Sequence, residues 1–308
     1  MNQTGVDIRV RPWFADHSVN GRAVLPAVES MLLLAAEVAG DNPDIDIRVM
    51  EDVRFRKFLE IPGGSARVAA LVEYQREENG SIRARLLSRV RGRVMTRLQE
   101  HASVLFSPGR SDGPLIAEVV PTPLAGPLTR VSAREVYRDL VVFGPSYQTL
   151  QDSLDLTEDA AWARLLAPGF DFAGQARQIL GSPFPLDGAF HAACVLGRRA
   201  ACFTPFPVGF GRRIIVKPTQ AGASYFTRVN LVSRQPDELI FDLCIFDQQG
   251  EVYESVTGLK MRDVSGRAGR LGRAAGTDGQ YPVSRSVSVQ ASSLSMETLV
   301  NQRRKISE

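Results

Sequence analysis

Apolar positions along this chain follow two periods in turn. Val6, Ile8 and Val10 alternate with Asp7 and Arg9, which predicts a half-buried strand. After the irregular stretch FADHSVNGRAVL, the run PAVESMLLLAAEV from Pro26 to Val38 predicts a helix, with proline in a first turn where its missing N–H costs nothing. Gly40, Asp41 and Asn42 are expected to stop that helix. Alternation then returns in four stretches, IDIRVMEDVRFRKFLEI, ARVAALVEYQRE, SIRARLLSRV and VMTRLQEHASVLFS. Turn residues such as Pro62-Gly63-Gly64 and Asn79-Gly80 part them. A long apolar helix followed by antiparallel strands predicts a helix wrapped by a sheet.

The same order recurs further on. Residues 111–130 are rich in Pro and Gly and read as a linker. Ser132-Ala133-Arg134-Glu135 has the form of a capping box opening a short helix. A strand pair follows the Gly144-Pro145 turn, then a second long apolar helix, PLDGAFHAACVLGRRA, then the strand-like runs RRIIVKPT, ASYFTRVNLVS, ELIFDLCIFD and VYESVTGLKMRDV. The expected division is therefore 1–110, linker 111–130, 131–263, and a Gly-, Arg- and Ser-rich remainder 264–308 that reads as a disordered tail. Its SMETLVNQRRK stretch fits either a solvated end or a short docking helix. The fold class is α+β, with one helix-and-sheet unit present twice.

Composition narrows the function classes only a little. With 44% hydrophobic and 23% charged residues among 308, the chain is an ordinary globular one, long enough for a large core. A net charge of +3 points to neither nucleic acid nor membrane. The longest greasy run holds two Glu and is too short to span a bilayer, and nothing resembles a signal peptide, so a cytoplasmic protein is expected. Cys194, Cys202 and Cys244 lack CxxC spacing; they read as buried free thiols in a reducing compartment.

Histidine is scarce: His17, His101 and His191. His101 lies in a strand-like run without catalytic-looking neighbours and reads as structural. His17 lies in the loop before the first long helix. Its spacing fits a base active near neutral pH, or a loop histidine satisfied by its neighbours. Gly21, four residues on, permits close backbone approach to a ligand. Asp187 and His191 stand four apart on an apolar helix, hence on one face. A carboxylate there is costly without a partner or a task, and burial would favour its protonated, acid form; a mere N-terminal cap is the other reading.

Together these residues resemble the dehydratase domains of modular polyketide synthases. The family motif HxxxGxxxxP is matched by His17, Gly21 and Pro26. A YGPxF-like turn is answered by Phe143-Gly144-Pro145-Ser146-Tyr147, with the aromatics exchanged and the usual upstream Gly-Tyr pair missing. The motif DxxxQ/H is answered by Leu186, Asp187 and His191, and a following Pro-Val-Gly by Pro207-Val208-Gly209. The resemblance spans residues 5–263 in order. It implies a double hotdog fold and a 3-hydroxyacyl-carrier-protein dehydratase (a hydro-lyase) of polyketide or fatty-acid-like biosynthesis. His17 would take the α-proton, Asp187 would protonate the departing hydroxyl, and His191 would hold Asp187. Tyr147 would serve as pocket wall, and backbone N–H groups near Gly21 or at a helix N-terminus would stabilise enolate charge. No metal or redox cofactor is called for. The implied partners are an acyl carrier protein or a polyketide synthase module, with no nucleic acid and no membrane, and the chain acting as monomer or homodimer. Two other readings stand beside this one: a hotdog acyl thioesterase and a non-catalytic acyl-binding subunit.

Overall fold

The computed structural model describes residues 2–91, 95–108, 115–170 and 174–264. The front half runs β1 (Asn2–Arg9), a 3-10 turn (Pro12–Asp16), a small hairpin of β2 (Ser18–Val19) and β3 (Arg22–Ala23), then helix α1 (Ala27–Asp41). Four long strands follow: β4 (Ile45–Phe55), β5 (Arg67–Arg76), β6 (Ile82–Arg91) and β7 (Thr96–Pro108). The back half opens with β8 (Thr129–Ser132), α2 (Ala133–Asp139), β9 (Leu150–Leu156), β10 (Ala160–Leu166) and α3 (Gln175–Leu180). Helix α4 (Phe184–Ala200) and strands β11 (Pro205–Ile215), β12 (Ser224–Arg234), β13 (Glu238–Phe246) and β14 (Val252–Asp263) complete it.

All strands but the hairpin join one 12-stranded sheet in the order β1-β5-β6-β7-β4-β11-β14-β13-β12-β10-β9-β8. The long strands pair antiparallel throughout, and β4 meets β11 where the halves join. Each half curls around its own long helix, which is the double hotdog arrangement. Helix α1 turns Val28, Met31, Leu34, Ala35 and Val38 into the core. Helix α4 is buried almost all round, from Phe184 to Gly197, as an enclosed apolar helix must be. Residues Met1–Val264 form one compact unit.

The expected elements differ from the observed ones in a few places. Helix α1 runs three residues beyond Val38, taking in Gly40 and Asp41; Asn42 alone ends it, its side-chain amide donating to the Val38 carbonyl at 3.1 Å. The capping box at Ser132 and Glu135 is formed on both sides. The last residues of the supposed linker are strand β8. Before it, residues 115–128 carry no helix or strand but are pinned: Val119 packs on Cys244 and Phe246, and Arg212 donates to Glu118 at 2.5 Å. Cys194 and Cys244 are buried free thiols, whereas Cys202 is exposed, contrary to expectation. The expected tail, apart from Val264, lies outside the described residues, as does SMETLVNQRRK. Among the described residues no helix is long and apolar enough to cross a membrane.

Candidate active site

A cavity of about 250 Å³ opens between the two halves. Its lining includes His17, Leu25, Ala27 and Leu59 from the front and Phe143, Asp187, Phe190 and His191 from the back. His17 and Asp187, distant in the chain, thus face one apolar space. All three histidines line it, His101 included. The His101 ring is nonetheless occupied, with Nδ1 2.9 Å from the Lys57 carbonyl and Nε2 2.7 Å from Ser88 Oγ.

His17 follows directly on the 3-10 turn, where its N–H donates to the Phe14 carbonyl at 3.2 Å, and its carbonyl accepts from Val24 N–H at 3.0 Å. These bonds fix the backbone on both sides of a residue that is not in regular structure. The backbone carbonyl of Val24 favours the protonated ring, and Nδ1 is buried without a hydrogen-bond partner. Loss of water around the ring pushes its pKa from 6.5 down to about 4; the Asp187 charge works against that shift and His191 works with it. The imidazole is therefore neutral at pH 7.

Gly21 does something other than approach a ligand. With Asn20 at φ 52° and Gly21 at φ 75°, the two form the tight turn of the β2–β3 hairpin, where left-handed backbone favours such residues. That hairpin carries the chain from His17 to Pro26, which caps α1.

Asp187 lies in the first turn of α4 and His191 one turn on. His191 Nε2 is 3.1 Å from Asp187 Oδ2, close enough for an ion pair though out of line for a hydrogen bond. Its other nitrogen, Nδ1, meets the Tyr137 hydroxyl at 3.3 Å, and that hydroxyl accepts from Leu150 N–H at 2.8 Å. Tyr137 is a supporting residue that sequence reasoning missed; it comes from α2, and no spacing links it to α4.

The Phe143–Tyr147 turn closes the site from the side, with the two aromatics in different places. Phe143 lines the cavity between the histidines, its ring centroid 4.3 Å from that of His17 and 5.4 Å from that of His191. Tyr147 is fully buried behind His17, edge-on at 5.0 Å, so it backs the imidazole instead of walling the pocket. Burial holds its phenol well above the ordinary range, with the Glu29 and Asp187 charges adding to the effect. Pro145 starts a 3-10 turn that sets Tyr147 in place.

Asp16 joins this turn to His17, and it too was missed. Its carboxylate accepts from Ser146 N–H at 2.9 Å and its carbonyl accepts from Gly144 N–H at 2.8 Å. A Cβ on Gly144 would lie 2.3 Å from Asp16 Oδ1 and 2.7 Å from Asp16 Cβ. Gly144→Ala is therefore expected to displace the residue next to His17. It should cost about 1–3 kcal/mol in thermal unfolding and lower turnover by about tenfold or more.

Among the described residues no group of three or more His, Cys, Asp or Glu side chains is placed to hold a metal ion.

Comparison with known proteins follows the same lines. The family described as polyketide synthase dehydratase N-terminal domain matches residues 117–271, and that described as polyketide synthase dehydratase domain matches residues 3–89. The polyketide synthase ThaG of Burkholderia thailandensis is 37% identical over 65 residues, which are 20% of this chain and 1% of that protein. This chain thus spans only a small fraction of the length of that curated relative. The dehydratase domain of RzxB from Pseudomonas fluorescens superposes with a TM-score of 0.62 at 20% identity, covering 84% of this chain and 94% of that one. A trans-AT polyketide synthase dehydratase domain from Brevibacillus brevis gives 0.64 at 19% identity, covering 85% and 93%. The dehydratase domain from the CurH module of curacin polyketide synthase gives 0.64 at 18% identity, covering 84% and 91%. At these identities the likeness is one of fold.

Proposed function

This chain belongs to the polyketide synthase dehydratase family, and on that premise we propose that His17 and Asp187 expel water from a 3-hydroxyacyl thioester carried on an acyl carrier protein. One observation carries the reading: a neutral, desolvated imidazole and a carboxyl group face the same apolar cavity from opposite halves of the fold.

The chemistry follows from their placement. The thioester makes the C2 proton acidic, and the neutral imidazole of His17 accepts it. Charge building on the thioester oxygen needs donors. The first-turn N–H groups of α1 have no helical acceptor, and Ala27, the first residue of that helix, lines the cavity. Asp187 gives its proton to the C3 hydroxyl, which leaves as water. A double bond forms between C2 and C3, and no electron is transferred. His17 ends protonated and Asp187 ionised; return of the proton resets the pair. His191, held by Tyr137, keeps the Asp187 carboxyl turned to the cavity. The apolar walls exclude competing water from the thioester, which disfavours hydrolysis.

Mass spectrometry of a 3-hydroxyacyl carrier protein incubated with the enzyme tests the proposal. The expected result is loss of one water with the thioester intact. Release of free acid would instead support a thioesterase, and an unchanged substrate would support a binding role.

The pH profile is a second expectation. His17 accepts a proton only when neutral, that is above its folded-state pKa of about 4. Activity should therefore persist as pH falls through the range where a free histidine protonates, and be lost only on approach to about pH 4. An acid limb of kcat/KM at the ordinary histidine value would contradict a dry His17.

A further inference from the structure

The topology places the two halves in correspondence. Outward from the centre, the front half runs β4, β7, β6, β5, β1 and the back half runs β11, β14, β13, β12, β10. In each half an outer strand leads through an irregular segment into the long helix and then the central strand. This relates α1 to α4, and the stretch between β1 and α1 to the stretch between β10 and α4. Each helix carries one acidic residue in its first turn, Glu29 as the third residue of α1 and Asp187 as the fourth of α4. His17, between β1 and α1, answers to the segment between β10 and α4, where Arg177 stands on α3.

The active site takes its base from the front and its acid from the back. Arg177 from the back and Glu29 from the front also meet. Arg177 Nη2 donates to Glu29 Oε2 at 2.6 Å across 148 positions of chain, with side chains only 13% and 6% exposed. Burial lifts the Glu29 carboxyl above its usual range, and the Arg177 charge opposes that. Arg11 and Trp13 also face this carboxylate.

The pair reaches His17 through a continuous set of rings. Trp13 belongs to the 3-10 turn that ends at His17 and stacks on Phe170 at 4.7 Å. Phe170 lies 5.5 Å from Phe184, Phe184 5.1 Å from Tyr147, and Tyr147 5.0 Å from His17. The Glu29 charge acts on the Tyr147 hydroxyl directly.

We infer that Glu29 and Arg177 are positioning residues that lock the halves so that His17 faces Asp187. This role rests on the dehydratase reading. A buried ion pair is a poor source of net stability compared with apolar residues, so its worth here lies in geometry.

The double variant Glu29→Leu/Arg177→Met removes both charges of the pair together. It should melt cooperatively, lose kcat by about 10- to 100-fold, and keep KM within about twofold. With three histidines in the chain, the His17 titration can also be followed by NMR. His17 is faced by Asp187 and His191 from α4 and by Tyr147 from the 143–147 turn, with Asp16 beside it. Loosening that packing admits water, so the titration should move from about 4 up toward 6.5. Glu29→Asp, which keeps the charge, should restore part of both properties. Should the double variant fail to fold, the near-isosteric Glu29→Gln decides the matter by the same readouts. A folded variant with unchanged kcat and an unchanged His17 titration would overturn the role. The titration stands apart from turnover: an inactive wild type would overturn the dehydratase reading, while the titration shift would still uphold the pair's role, or its absence refute it.

Discussion

His17→Ala is expected to lower the rate of water elimination by about 10³- to 10⁴-fold, near the upper end of what one proton-transferring side chain contributes. Neither other histidine can take over. His101 has both ring nitrogens engaged, by the Lys57 carbonyl and by Ser88. His191 is held between Tyr137 and Asp187 on the acid's side of the cavity. The fold should survive, because the bonds that shape the loop run through the backbone of residue 17, to Phe14 and Val24, and not through its side chain alone. Truncation removes ring contacts with Phe143 and Tyr147, so a loss of about 1–3 kcal/mol in thermal unfolding should accompany it. Mass spectrometry of the carrier-bound product measures the effect. A variant that still forms enoyl thioester within tenfold of the wild-type rate would remove His17 from the mechanism.

The sequence showed the long elements because their periods are unbroken. Helices α1 and α4 and the long strands lie where alternation or helical spacing runs over many residues. Short elements lack such a signal. Helix α3 has six residues between Gly174 and Gly181, too few to display a period. Strand β8 has four residues at the sheet edge and was hidden in a Pro/Gly-rich linker. Helix α1 outran its expected stop because Gly40 and Asp41 are tolerated in a last turn, and the decisive cap is a side-chain bond made by Asn42.

The site was legible for a different reason. His17, Gly21 and Pro26 keep a motif's spacing, and Asp187 with His191 occupy one helix face, so local pattern sufficed for them. What escaped were hydrogen-bonded contacts between segments remote in the chain: Asp16 on the 144–146 turn, Tyr137 on His191, and Arg177 on Glu29. Glu29 did carry a signal. It is a carboxylate in the first turn of an apolar helix, the same oddity that drew attention to Asp187. Gly21 is the reverse case: read in the sequence for the room it leaves a ligand, it has in the hairpin turn a backbone task of its own, at φ 75°.

Asp187→Asn is expected to cut enoyl formation by about 10²- to 10⁴-fold while sparing the first proton transfer. Asparagine keeps the shape beside His191 but has no carboxyl proton to give the departing hydroxyl. His17 remains neutral, on the other side of the same cavity. In deuterated water the Asp187→Asn variant should therefore exchange the C2 proton of the 3-hydroxyacyl thioester without losing water. The His17→Ala variant should do neither. This difference separates base from acid by experiment, as their placement in opposite halves separates them in space. Equal loss of exchange in both variants would mean that the two residues do not act in distinct roles. Enoyl formation by the Asp187→Asn variant at the wild-type rate would mean that the hydroxyl draws its proton from elsewhere.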